Sequence, residues 1–143
     1  MRKQTPIGRF SVQFVVANYR DVMQAAPDVP IPGGVKHLVL SGLVDSGAAR
    51  LVLPQRAVDE LRFQGHGETT VRYADGRREK RPVVTNVWLQ LLGRDGIFSA
   101  VVEPDRADAL IGAIVLEELD LLVDCTTQTL QPREPDSILT EIE

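Results

Sequence analysis

Within residues 9–18, the apolar Phe10, Val12 and Phe14 alternate with polar residues, the period of a strand with one buried face. Pro27, Pro30, Pro32 and Gly33-Gly34 then break the rhythm, so residues 19–34 read as a long loop, with room for a short helix at 21–26 before the prolines. Residues 35–44 read as the next strand, with a bend or bulge expected at Ser41-Gly42. Leu51-Val52-Leu53 is a short apolar strand, and Pro54 suits the start of a helix with Val58 and Leu61 on one face.

Residues 68–73 read as a strand, Asp75-Gly76 as a tight hairpin turn and 77–92 as the return arm. In that arm Val83, Thr85, Val87 and Leu89 alternate with Val84, Asn86, Trp88 and Gln90, which predicts a well-buried strand. Residues 93–96 predict another turn, 97–103 a strand and 104–108 a polar loop. Residues 109–119 form an apolar strand broken at Gly112 and followed by a short helical pattern. Strands at 121–124 and 129–131 flank a turn at 125–128, and Pro132 stops the last. The tail over 133–143 is polar, with Ile138, Leu139 and Ile142 as expected anchors. Many short strands, frequent turns and one or two short helices predict a mostly β, closed-barrel domain over residues 1–132. Its core falls at about 35–132, after the strand at 9–18 and the loop at 19–34.

Composition narrows the function classes. The chain has 143 residues, 43% hydrophobic and 25% charged, in keeping with one globular domain. No apolar run approaches the roughly 18 residues of a membrane helix, and no signal peptide is expected behind the charged N-terminus. A net charge of −4 argues against nucleic acid as the main partner. One cysteine, Cys125, leaves no intrachain disulfide and fits a reducing cytoplasm. With His37 and His66, it is too few for a closed structural zinc site, so neither metal nor cofactor is expected.

The chemistry concentrates at Leu43-Val44-Asp45-Ser46-Gly47-Ala48. An apolar strand that ends on a carboxylate holds a costly charge unless it is hydrogen-bonded or functional. Gly47 lets the backbone turn its N–H towards the carboxylate, and the Ser46 hydroxyl can brace the turn. Alone, Asp-Ser-Gly is also an ordinary turn. A faint echo stands downstream: Leu110-Ile111-Gly112-Ala113 is again an apolar run broken at glycine and alanine, and a helix follows.

Together, Val44-Asp45-Ser46-Gly47-Ala48, the hairpin at Tyr73-Ala74-Asp75-Gly76 and the later Leu110-Ile111-Gly112 resemble, in order, the motifs of the retropepsin-like aspartic proteases (clan AA), in their bacterial single-domain form. The resemblance covers about residues 35–132 and implies a retropepsin-like acid-protease barrel, one lobe per chain. It implies Asp45, Ser46 and Gly47 as catalytic residues, and Ala48, Tyr73, Ala74, Asp75, Gly76, Ile111 and Gly112 as substrate-binding ones. With one Asp-Ser-Gly per chain, it further implies a homodimer that shares its active site across a twofold axis and hydrolyses peptide bonds. The chain departs from the family in Ser46 for the commoner Thr, a longer 19–34 segment and a single glycine in the hairpin turn. Two other readings stay open: a retropepsin-fold dimerisation or peptide-binding module that does not cleave, and an unrelated small barrel that binds a ligand through its Pro/Gly-rich loop.

Overall fold

The alternation at the start of the chain folds as the periodicity predicts. The computed structural model describes residues 9–142. Strand β1 (Arg9–Asn18) buries Phe10, Phe14, Val16 and Ala17. It pairs antiparallel with β2 (His37–Asp45) in an unbroken register from Arg9↔Asp45 to Ala17↔His37. The bulge expected at Ser41-Gly42 is therefore absent. Gly42 stays in the pleat, and its missing side chain makes room for the Phe14 ring: a Cβ there would lie 2.7 Å from Phe14 Cε1. Register shifts occur in other strand pairs, one of them in β5 (Arg78–Leu91) between Val84 and Val87, where Asn86 takes a φ of 61°.

The long loop also begins differently from expectation. Asn18 caps helix α1 (Tyr19–Gln24) by accepting from the Arg20 N–H at 3.0 Å, so the helix starts before residue 21. The same buried side chain donates through Nδ2 to the carbonyls of Leu61 and Arg62, both at 3.1 Å. It thereby satisfies the open carbonyl end of helix α2 (Gln55–Leu61). Pro54 ends β3 (Leu51–Pro54) and starts that helix, which buries Ala57, Val58 and Leu61.

Strand β4 (Gln64–Arg72) turns through Asp75 and Gly76 into β5, and β5 into β6 (Arg94–Glu103). The second turn is Leu92-Gly93, with φ of 53° and 75°, so residues 94–96, expected in the turn, belong to β6. β7 (Ala109–Ile111) leads into α3 (Ala113–Glu118). The sheet runs β1-β2-β7-β3-β6-β5-β4, and β1 pairs again with β5 from Val15↔Gln90 to Asn18↔Val87. Six strands thus close into a barrel, and β4 is left outside as a free edge. Three short helices accompany the barrel among the described residues, rather than one or two.

The barrel interior is filled by Leu40, Val44, Leu51, Leu53, Val87, Leu89, Leu91 and Ile111, joined by Val115 and Leu119 from the α3 side. Each such side chain stabilises the fold by roughly 1.5–3 kcal/mol relative to exposure. Among the described residues, no helix is long and apolar enough to cross a membrane.

β8 (Leu121–Asp124) and β9 (Thr129–Pro132) form a separate two-stranded sheet. The tail after it is not anchored by its apolar residues: Ile138, Leu139 and Ile142 are 42%, 43% and 90% exposed. Polar groups hold it instead. Asp120 accepts from Arg133 Nε at 2.6 Å and from the Leu139 N–H at 3.0 Å, and Arg94 Nη2 donates to the Glu134 and Ser137 carbonyls. Burial pushes the Asp120 carboxyl up, but the Leu139 N–H, then Arg133 and Arg94, outweigh it and hold the group below its ordinary value. A carboxyl depressed in the folded state stabilises docking above its unfolded value, and that contribution is lost as pH falls through the folded one. The tail should therefore stay ordered at neutral pH and loosen only as pH falls below the ordinary carboxyl range of about 4, read from NMR order parameters at Leu139. Asp120→Asn should loosen it already at neutral pH.

Candidate active site

Asp45 is the last residue of β2, carried to the barrel rim by β1 on one side and β7 on the other. Its carbonyl accepts from the Ala48 N–H at 3.1 Å, which closes the turn. The Gly47 N–H donates to Oδ1 at 3.0 Å. Arg9, directly opposite in the β1–β2 register, places Nη2 3.0 Å from Oδ2. Both carboxylate oxygens thus have a donor, while the side chain keeps 16% exposure. Ser46 is exposed, and its hydroxyl has no hydrogen bond among the described residues, so the turn is braced by backbone N–H groups.

The two faintly similar stretches of sequence lie side by side. β2 and β7 run parallel, with Val44 opposite Ile111. Beyond them, the Ala113 and Ile114 N–H groups donate to the carbonyls of Ala48 and Ala49, at 2.7 and 3.0 Å. Gly112 makes this possible, because the backbone of residues 49–50 passes where a side chain would begin. The start of α3 is in this way tied to the turn that carries Asp45.

Asp45 opens into a cavity of about 490 Å³, with Ala48, Val52 and Leu110 on its walls and the β4 arm, Tyr73 and Ala74 across it. The hairpin is tied down at Tyr73. Its phenol lies 2.7 and 2.8 Å from the two Glu103 oxygens, and Arg81 Nε donates to Glu103 Oε1 at 2.6 Å and to Tyr73 Oη at 3.1 Å. Burial, then the Glu103 carboxylate, push the phenol above its ordinary value against the pull of Arg81. The Arg77 guanidinium stacks 4.9 Å from the Tyr73 ring centroid. Its backbone N–H and side chain together hold the Asp75 carboxyl below its usual range. Glu103→Gln should free Arg81 and let the hairpin open. Hydrogen exchange at the Tyr73 and Gly76 amides should then run severalfold faster than in the wild type, with barrel amides unchanged.

Of the residues that the resemblance implies, the cavity brings together Asp45, Ala48, Tyr73 and Ala74. Asp75 and Gly76 sit at the hairpin turn beyond the cavity lining, and Asp75 pairs with Arg77 at 2.9 Å. Ser46 borders a second hollow, beside Ala113, Leu122 and Arg133. Ile111 is fully buried in the core, and strand alternation turns its neighbour Leu110 to the cavity. Gly112 contacts the 49–50 backbone rather than the cavity. Sequence reasoning missed Arg9, Arg81 and Glu103, whose partners are distant along the chain. It also missed Arg50 and Arg106, which line the same cavity. Among the described residues, no group of three or more His, Cys, Asp or Glu could hold a metal ion. No protein-family model matches the chain, and no curated protein matches it.

Proposed function

We propose that two copies of this chain form a retropepsin-like aspartic endopeptidase whose active site pairs Asp45 of one copy with Asp45 of the other. The observation that carries the proposal is one cavity that joins a strand-terminal Asp45, with the Gly47 N–H on Oδ1, to a hairpin tied down across from it at Tyr73. An extended peptide between the hairpin and Asp45 would be shielded from water and gain strand-like hydrogen bonds. One Asp45 carboxylate would take a proton from a water as its oxygen attacks the peptide carbonyl carbon. The other, protonated, would donate to the carbonyl oxygen, giving a neutral tetrahedral diol. Transfer of a proton to the amide nitrogen then lets the C–N bond break, releasing an acid and an amine. The chain supplies one such carboxylate, so the site is complete only with the second copy. The single cysteine is in keeping with work in the cytoplasm.

A second reading has its own support. Arg9 engages Oδ2, the oxygen left free by Gly47, and a carboxylate held in that way suits a module that binds peptide or a second copy without cleaving. The test is digestion of a diverse peptide pool at about pH 4–7, where a carboxylate dyad changes protonation, alongside sedimentation of the same sample. Cuts from a dimer support the peptidase. A folded dimer that leaves the pool intact favours the module, and full activity from a monomer overturns the shared site.

A further inference from the structure

The cavity beside Asp45 has a charge opposite to that of the chain. The protein carries a net charge of −4, yet four arginines, Arg9, Arg50, Arg72 and Arg106, line the cavity against two acids. Both acids are already compensated, Asp45 by Arg9 at 3.0 Å and Glu103 by Arg81 at 2.6 Å. Arg50, Arg72 and Arg106 form no ion pair among the described residues. Two of them are pre-positioned by neutral partners: Arg50 Nη2 donates to Ser99 Oγ at 3.2 Å, and Arg106 Nε to the Asp108 carbonyl at 3.0 Å. A guanidinium held by neutral acceptors keeps its charge unpaired and its remaining N–H groups for a ligand. In a cleft with low-dielectric walls, such charges concentrate anions.

The strand beside these arginines sets the shape of the ligand. All residues from Thr69 to Ala74 border the cavity. A strand that met the cavity with one face would show alternate residues only, so β4 meets it edge-on. β4 is also the free edge of the sheet, where unpaired backbone N–H and C=O groups accept an added strand.

We infer that this cavity takes an extended acidic peptide, with Asp or Glu side chains held by Arg50, Arg72 and Arg106 and its backbone laid along β4. The inference rests on the reading of the cavity as a substrate cleft and names the substrate class for it. Arginine suits the task because its planar fork takes a carboxylate through two hydrogen bonds at once.

The test measures binding and cleavage separately, with three fluorescein-labelled decapeptides identical but for acidic, amide or lysine residues around a central apolar pair. The acidic peptide should bind the wild type at least about tenfold more tightly than the amide one at low salt. That preference should shrink as sodium chloride rises from about 0.05 to 0.5 M, and vanish in R50Q/R106Q. Acidic binding that depends on the arginines but brings no cleavage supports the inference while removing the peptidase reading. Cleavage without acidic preference, or a preference that survives R50Q/R106Q, overturns the inference while leaving the peptidase intact. No binding of the acidic peptide overturns it too. Equal competition by a single-stranded DNA oligonucleotide marks a bare polyanion surface and overturns the peptide assignment. If R50Q/R106Q does not fold, the salt dependence of the wild type and the exposed R72Q decide by the same criteria.

Discussion

Asp45→Asn is expected to abolish peptide cleavage, by on the order of 10³-fold or more, while the protein melts and self-associates as the wild type does. The asymmetry follows from what each atom does. Asparagine keeps the volume of aspartate and an Oδ1 that can still accept from the Gly47 N–H, so the turn survives. The amide cannot take a proton from water, so the proposed base is lost. The Arg9 contact is lost too, but Arg9 is 47% exposed, and an ion pair so open to solvent contributes about 0–1 kcal/mol. Mass spectrometry of a digested pool reads the first effect, and thermal melting with sedimentation the second. Cuts that persist in Asp45→Asn at the wild-type rate would remove Asp45 from the chemistry. A variant that unfolds would show instead that the carboxylate is a structural part of the turn.

Gly112→Ala is expected to cost about 3 kcal/mol of stability, because overpacking against backbone adds to the loss of the hydrogen bonds stitched beside it. A Cβ at this position would lie 2.5 Å from the Arg50 carbonyl oxygen, 2.7 Å from the Ala49 carbonyl carbon and 2.7 Å from the Arg50 nitrogen. These are backbone atoms, which cannot step aside by changing rotamer. The backbone at Gly112 is extended, with φ of −93° and ψ of −177°, so the penalty comes from crowding and not from backbone strain. Relief requires the two loops to part, which breaks the Ala113–Ala48 and Ile114–Ala49 hydrogen bonds and unsettles the turn that carries Asp45. Melting should fall by roughly 10 °C for a domain of this size. Gly33→Ala is the control: nothing lies within 4 Å of its Cβ position, so melting should barely move. Equal melting of Gly112→Ala and wild type would show that the two loops are not packed as described.

What local sequence encodes was legible, and what depends on distant packing was not. Period-two alternation predicted β1 and the long return arm, because a strand with a buried face must place apolar residues on one side, and an apolar run predicted the strand that leads into Asp45. Asp75-Gly76 gave its hairpin, and Gly112 the break between β7 and α3, since turn and cap chemistry lies within a few residues. The turn after β5 was misplaced because Leu92, a residue with no turn signature, takes a φ of 53° there. The bend or bulge expected at Ser41-Gly42 does not form; Gly42 instead leaves room for the Phe14 ring of the neighbouring strand, a contact that local sequence does not show. The candidate site divides in the same way. Asp45, Ser46, Gly47 and the hairpin stand out in the sequence as a motif. That Arg9 faces Asp45, that Glu103 and Arg81 tie down Tyr73, and that Arg50 and Arg106 share the cavity follow only from closing the barrel. The residue types and local turns fixed the strands and the carboxylate. The register between strands, set by how the side chains of the whole core fit together, decided which charges meet it.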